Sequence, residues 1–198
     1  MTDNGRDLNH ELPPLVENVR EGWQETSSGS AVVTSLLAAV ATGLLSLIND
    51  VVNNGDFKQQ ANPHALTFLY VASFGAIILS ASATVTSLFL IDKLGDLPAL
   101  ASDLDKPREG KLASDIDILV YYGLGDTWTL ALWHWIISLV LGIWCLFLQV
   151  IVFVYMTQTT PVIVVATIAT IFAVLPMVYL LFKKACRLLK GPLKDPYA

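Results

Sequence analysis

Four long stretches without a single Asp, Glu, Lys or Arg dominate the hydrophobic pattern of this 198-residue chain. They run from Ala31 to Ile48, from Leu66 to Ile91, from Thr129 to Met156 and from Pro161 to Phe182. Each is near or above the ~18 apolar residues that mark a membrane-spanning helix. The pattern predicts an all-α polytopic membrane protein with four transmembrane helices, at about residues 31–50, 66–91, 129–156 and 161–182.

The composition supports that class. Charged residues make up 15% of the chain and mean hydropathy is +0.59, whereas soluble domains carry roughly 25% charged residues. Most surface positions therefore face lipid rather than water. Two cysteines, Cys145 and Cys186, are too few for a disulfide framework. We expect no nucleic-acid partner, because the main basic cluster directly follows a span.

Basic residues are distributed unevenly between the two sides of the predicted membrane. Two Lys or Arg residues lie in the amino tail (residues 1–30), four in the central loop (residues 92–128) and five in the carboxyl tail (residues 183–198). The remaining loops hold only Lys58. The positive-inside rule places both termini and the central loop in the cytosol. We expect an integral protein of the plasma membrane or an endomembrane, with no cleaved signal peptide because no apolar segment lies near Met1.

The amino tail carries an apolar stripe that begins just before Pro13-Pro14. Leu12, Val16, Val19 and Trp23 recur at helical spacing, which favours a short amphipathic helix on the inner leaflet or on a partner subunit. A partly ordered tail with a chance stripe is the alternative. The polar run 26–30 is expected to break or cap the helix before the first span.

Other segments predict how the spans are connected. The central loop holds two apolar-acidic patches, Leu97 to Leu104 and Leu112 to Tyr122, that suit short amphipathic helices. Gly123-Leu124-Gly125 is interpreted as a turn. The short segment from Thr157 to Thr160 makes the third and fourth spans adjacent antiparallel neighbours.

The first span presents small and hydroxyl residues at every fourth position, namely Ser30, Thr34, Ala38, Thr42 and Ser46, followed by Asp50. A second row, made of Ala31, Ser35, Ala39 and Gly43, lies beside it. One interpretation is a helix–helix seam, since small residues let membrane helices approach closely. The other is a pore-lining face with an acidic ring at its outer mouth, which would attract cations. The pore-lining or ion-attracting candidates are Thr34, Ala38, Thr42, Ser46, Asn49 and Asp50. Asp50 can equally be a simple interfacial carboxylate.

Polar residues in the second and third spans suit packing. Ser73, Ser80 and Ser87 belong to a heptad-like seam of small residues in the second span. Gln149 is expected to hydrogen-bond to another helix, because an unpaired amide in lipid is costly. His134 is interpreted as an interfacial residue, with proton sensing as the alternative.

The sequence does not indicate an enzymatic site. His64 and His134 are predicted at opposite membrane surfaces, which argues against bis-histidine haem ligation within one subunit. We find no zinc-ligand spacing, catalytic triad or phosphate-binding loop in the sequence. We therefore expect no cofactor, no metal site and no enzyme activity.

Two resemblances concern larger parts of the chain. The strings AIILSASATVTSLFLIDKLGDLP and WHWIISLVLGIWCLFLQ resemble four-span membrane proteins of mushroom-forming fungi, a likeness that implies no activity. More remotely, the small-residue first span, the long second loop and SLVLGIWCLFLQVIVFVYM in the third span are similar to the Orai family of calcium channels. That resemblance implies a multimeric, calcium-selective pore lined by the first span.

The chain departs from the Orai pattern in its charges. Glu17, Glu21 and Glu25 occupy the stretch before the first span, where the family is basic. The family's first-span glutamate has no counterpart in register, and Gln149 stands where its third-span carboxylate is expected. The leading functional hypothesis is a homo-oligomeric, cation-conducting assembly lined by the first span. The alternative is a non-conducting scaffold or adaptor that binds partners through the cytosolic loop and tails.

Overall fold

Long helices account for almost all of the chain that the computed structural model describes, which is residues 12–54, 63–101 and 115–189. No strand occurs in these three ranges. The helices are α1 (Pro14–Asn54), α2 (Pro63–Gly95), α3 (Leu97–Ala101), α4 (Asp115–Leu119), α5 (Gly125–Thr157) and α6 (Thr160–Leu189). A five-residue π-helical segment, Val120–Leu124, joins α4 to α5.

Three of these helices are long and apolar enough to cross a membrane: α1, α2 and the Thr127–Thr157 part of α5. In α6 the apolar segment found among the described residues is shorter, Thr160–Pro176. The chain thus has the helical architecture of an integral membrane protein.

Helix α1 has no break before its apolar part, so the expected interruption at residues 26–30 is wrong. The helix runs unbroken for 41 residues, or about 60 Å at 1.5 Å per residue. Ser and Thr can cap a helix, but inside one their hydroxyls can bond to the preceding turn instead. Thr26 does so, because its Oγ1 donates to the carbonyl oxygen of Gly22 at 2.8 Å.

Helix α2 lies between α1 and α5 and packs closely along both. Its buried positions are mostly small, which lets neighbouring backbones approach closely. The facing helix contributes glycine at the tightest point: a Cβ added at Gly142 would lie 3.1 Å from Ser80 Oγ and 3.3 Å from Ser80 N. The α2–α5 contact therefore depends on Gly142 having no side chain.

The amino-terminal part of α1 packs against the central loop of its own chain. Leu12, Val19 and Trp23 contact a cluster of buried residues, which we call the loop-side core: Val16, Ala83, Leu90, Leu94, Leu97, Ile118, Leu119, Leu124, Trp128, Ala131, Leu132 and Trp135. The rings of Trp23 and Trp128 meet edge to face, 6.3 Å apart between centroids. The predicted amphipathic stripe is thus present. The chain's own loop covers it, in place of the expected inner leaflet or partner subunit.

The two patches of the central loop contain the short helices α3 and α4. The predicted turn at Gly123-Leu124-Gly125 is a kink, in which Gly123 has a φ of 110° and Gly125 a φ of 64°. Positive φ values of this kind favour glycine. A Cβ at Gly123 would also lie 3.0 Å from Leu100 Cβ. The kink redirects the chain from the loop into α5.

Helices α5 and α6 are consecutive and joined by only two residues, Gln158 and Thr159. They pack against each other, so the predicted neighbouring arrangement is confirmed. Much of the apolar surface of α6 is exposed, with Val165 at 67% and Phe172 at 82%. α6 thus forms one outer edge of the helix bundle, on the far side of α5.

Candidate functional site

The buried face of α1 follows a seven-residue spacing. Ser27, Thr34, Ala41 and Ile48 are each no more than 1% exposed. Seven residues make almost two full helical turns, so the row drifts by only about 20° per step. This face keeps contact with α2 and α5 through several turns.

The row predicted at every fourth residue cannot stay on one face over the same distance. Four residues turn a helix by about 400°, so each step drifts by about 40° and the five steps from Ser30 to Asp50 drift by about 200°. Thr34 is buried inside the helix bundle and Ala38 is half-buried, whereas Thr42, Ser46 and Asp50 are exposed. The prediction that Thr34 lines a pore is therefore wrong, because the side chain packs between helices of its own chain.

The exposed surface of α1 between residues 35 and 50 divides into two strips. We call the first the polar strip: Ser35, Ala39, Thr42, Gly43, Ser46, Asn49 and Asp50, all exposed. It covers about 120° of the helix circumference. The second, the apolar strip, consists of Leu36, Val40 and Leu47, which are 46–61% exposed. Most of the second small-residue row recognised in the sequence therefore lies on the outward polar strip.

Gly43 leaves open space on the polar strip. A Cβ placed on Gly43 would have no heavy atom within 4 Å. The strip is consequently an open surface of the chain at the middle of the span, in contrast to the tight contact at Gly142.

Five hydrogen bonds to other helices fix the rotation of α1 about its axis, the longest of them from Ser87 Oγ to Ser30 Oγ at 3.5 Å. Trp135 Nε1 donates to Ser30 Oγ at 2.9 Å, and Thr34 Oγ1 lies 2.7 Å from Thr84 Oγ1. Farther along, Gln149 donates to the carbonyl oxygen of Ala41 at 3.3 Å. Tyr70 OH donates to Asn49 Oδ1 at 2.8 Å.

Gln149 is the most deeply buried polar side chain of this set, with 0% exposure. The hydrogen bond predicted between Gln149 and another helix is present, since its acceptor Ala41 belongs to α1. Its Oε1 atom is buried without a hydrogen-bond partner in the described part of the protein. Gln149 thus ties α5 to α1 through its amide nitrogen.

The serines of α2 lie inside the helix bundle. Ser73, Ser80 and Ser87 are at most 2% exposed. Ser73 and Ser87 donate to carbonyl oxygens of their own helix at 2.7 and 2.9 Å, and Ser87 Oγ also lies 3.5 Å from Ser30 Oγ of α1. The serines therefore occupy the helix contacts, away from the exposed polar strip.

His134 and Asp50 are both exposed. His134 Nε2 lies 3.0 Å from Ser82 Oγ, which joins α5 to α2. Asp50 lies near the end of α1, after Asn49. Across the described ranges, no group of three His, Cys, Asp or Glu residues could hold a metal ion.

Sequence reasoning missed the partners of α1 rather than the polar residues themselves. The contacts of Ser30 with Trp135 and of Thr34 with Thr84 join residues far apart in the chain. The spacing from Ser27 to Ile48 was the available signal for the buried face.

Comparison with known proteins adds no assignment: no family model, no curated protein and no solved structure matches the chain.

The Thr34–Thr84 contact gives a prediction with a matched control. Thr34→Val keeps the side-chain shape and removes the hydroxyl, so we expect the free energy of unfolding to fall by about 0.6–1.7 kcal/mol, the range for such bonds between membrane helices. Thr42→Val is the control, because Thr42 Oγ1 bonds only within its own helix, to Ala38 O at 2.8 Å. Denaturant unfolding in detergent measures both. Equal losses in the two variants would contradict the proposed anchoring role of Thr34.

Proposed function

We propose that this protein forms a homo-oligomeric, cation-conducting membrane channel in which the polar strips of several α1 helices surround a common water-filled axis. The observation that carries the proposal is the outward polar strip, from Ser35 to Asp50. The apolar strip beside it would cover part of the neighbouring protomer. A fourth span formed by α6, with both termini and the central loop in the cytosol, belongs to the same proposal.

The exposed surfaces of α1 and α6, at two edges of the protomer, suit different environments. The exposed surface of α6 is apolar, with Ile168, Phe172 and Leu175 each more than 60% exposed, and can lie directly in lipid. The polar strip on α1 carries hydroxyl, amide and carboxylate groups. The Ser35 and Thr42 hydroxyls are satisfied by carbonyl oxygens of their own helix, whereas the carboxylate of Asp50 is costly in hydrocarbon and favours water. An assembly with α1 inside and α6 outside satisfies both edges.

The charge of α1 favours cations. Between Ala31 and Asp50 the only charged residue is Asp50. In a symmetric assembly Asp50 would repeat around the axis as an acidic ring, and rings of carboxylates attract cations. Ser46 and Thr42 would follow it into the span as oxygen-bearing side chains.

Removing the charge of Asp50 tests the proposal. In liposomes that contain the purified protein, we expect Asp50→Asn to lower cation flux roughly fivefold, because losing an attraction of about 1 kcal/mol reduces ion occupancy by that factor. Asp92→Asn is the control, since Asp92 is an exposed carboxylate at the other end of the neighbouring helix α2. An absence of flux in the unaltered protein, or equal flux in both variants, would contradict the proposal.

A scaffold or adaptor is the second candidate, and the loop-side core favours it. Outside the apolar part of α1, the chain builds an ordered contact between Trp23, Trp128 and the helix α4. A groove of about 390 Å³ beside it is lined by polar and apolar residues that include Asn18 and Asp115. A monomer whose α1 is surrounded by lipid would favour this candidate over the channel.

A further inference from the structure

A long apolar groove runs between α5 and α6, away from the polar strip of α1. It encloses about 630 Å³, within the 300–1,000 Å³ range of small-molecule sites. Trp144 and Ile151 line it from α5, and Ile171, Leu175 and Tyr179 line it from α6. Its walls are almost entirely apolar, so the occupant must present a largely apolar surface.

One end of the groove lies at Tyr179. From Ile171 to Tyr179 the helix rises about 12 Å, close to the ~15 Å depth of one leaflet's hydrocarbon. Tyr179 lies at the end of the groove that is nearer the basic carboxyl tail, and its side chain is 62% exposed. Tyrosine is favoured where an apolar body meets the headgroup level. The groove thus suits a molecule that fills one leaflet and has its polar group at the membrane surface.

The sequence of α6 supplies a second, independent observation. Leu175, Tyr179 and Lys183 follow one another at intervals of four, which fits the pattern of Leu or Val, then Tyr, then Lys or Arg proposed for sterol contact. The pattern is too short to assign a ligand by itself. Here, however, its first two residues line the groove.

We propose that the α5–α6 groove binds a sterol, with the sterol hydroxyl at Tyr179 and the fused rings between Trp144 and Ile171. A rigid ring system loses less conformational freedom on binding than a flexible acyl chain does, so it binds such a groove more favourably. A helix of a second copy is the competing occupant, and the labelling experiment below distinguishes it from a sterol.

Photolabelling tests the proposal on the full chain in detergent–lipid micelles. The probe is a sterol that carries a diazirine on its ring system and an alkyne for detection. We expect the label to map by mass spectrometry to the groove walls on α5 and α6, and an excess of unlabelled sterol to abolish it. Leu175→Trp should reduce labelling at least severalfold, because the indole occupies the groove. Ala173→Trp is the control, since Ala173 is exposed on α6 and lies away from the groove lining.

The same experiment distinguishes a bound sterol from other occupants of the groove. A phosphatidylcholine with a diazirine in its acyl chain should label the groove weakly and should not compete with the sterol probe. Equal labelling by both probes, with equal loss in Leu175→Trp, would identify a general acyl-chain groove and overturn the proposal. Sterol labelling spread evenly over all lipid-facing helices, or unchanged in Leu175→Trp, would overturn it as well. Circular dichroism of each variant confirms that the helices are retained.

Discussion

Gly142→Leu is expected to prevent stable folding of the protomer. A Cβ at this position would lie 3.1 Å from Ser80 Oγ, 3.3 Å from the Ser80 backbone nitrogen and 3.4 Å from Leu79 Cβ. Because a backbone atom cannot rotate away, α2 and α5 must separate to admit a side chain. Overpacking commonly costs about 1–3 kcal/mol and occasionally more, and leucine adds three carbons beyond Cβ. We expect a loss at the upper end of that range or above it.

The measurement is the yield of monodisperse protein from membranes, followed by thermal unfolding of the recovered fraction. Gly43→Leu is the matched control, because a Cβ at Gly43 has no neighbouring heavy atom within 4 Å. The control should keep its helical content and yield, although its added side chain on the polar strip should reduce ion flux. Normal yield and stability of Gly142→Leu would show that the described α2–α5 contact is wrong.

The positions and types of the helices could be predicted because the signal in lipid is strong. Long charge-free runs located the apolar parts of α1, α2 and α5. The serine seam of α2 was also visible, since its spacing of three and four residues keeps Ser73, Ser80 and Ser87 on one side of the helix. The charge-free runs depend only on local composition, and the serine seam depends only on local periodicity.

The rotation of α1 could not be predicted from the same kind of pattern. Two small-residue rows ran along this helix, and a row at four-residue spacing drifts around the helix instead of following one face. Contacts with distant residues, among them Thr84, Trp135 and Gln149, decide which side is buried. These partners lie 50 to 108 residues away in the chain, so no local pattern contains them.

The amino tail illustrates a different limit. Its apolar stripe correctly indicated a buried helix face, but a stripe does not specify what covers it. The structure assigns that role to the chain's own loop, through Trp128 and Leu119. The hydroxyl run after Trp23 was equally ambiguous, because serine and threonine both cap helices and bond back to them.

Water contact along the polar strip is the prediction with the sharpest contrast. Ala39 and Val40 are adjacent, exposed and near the middle of the span, but Ala39 belongs to the polar strip and Val40 to the apolar strip. A thiol reacts as the thiolate, which forms in water far more readily than in apolar surroundings. We therefore expect Ala39→Cys to be reactive from the aqueous phase and Val40→Cys to be protected, although both lie at nearly the same depth.

The most direct test of a water-lined α1 is the modification of these two variants, with Cys145 and Cys186 replaced, by a charged membrane-impermeant methanethiosulfonate reagent. Proteoliposomes allow the modified fraction and the cation flux to be measured on the same sample. The account predicts that Ala39→Cys is modified and loses flux, whereas Val40→Cys remains unmodified until the protein is denatured. Protection of both cysteines from the charged reagent, or equal modification of both, would contradict it.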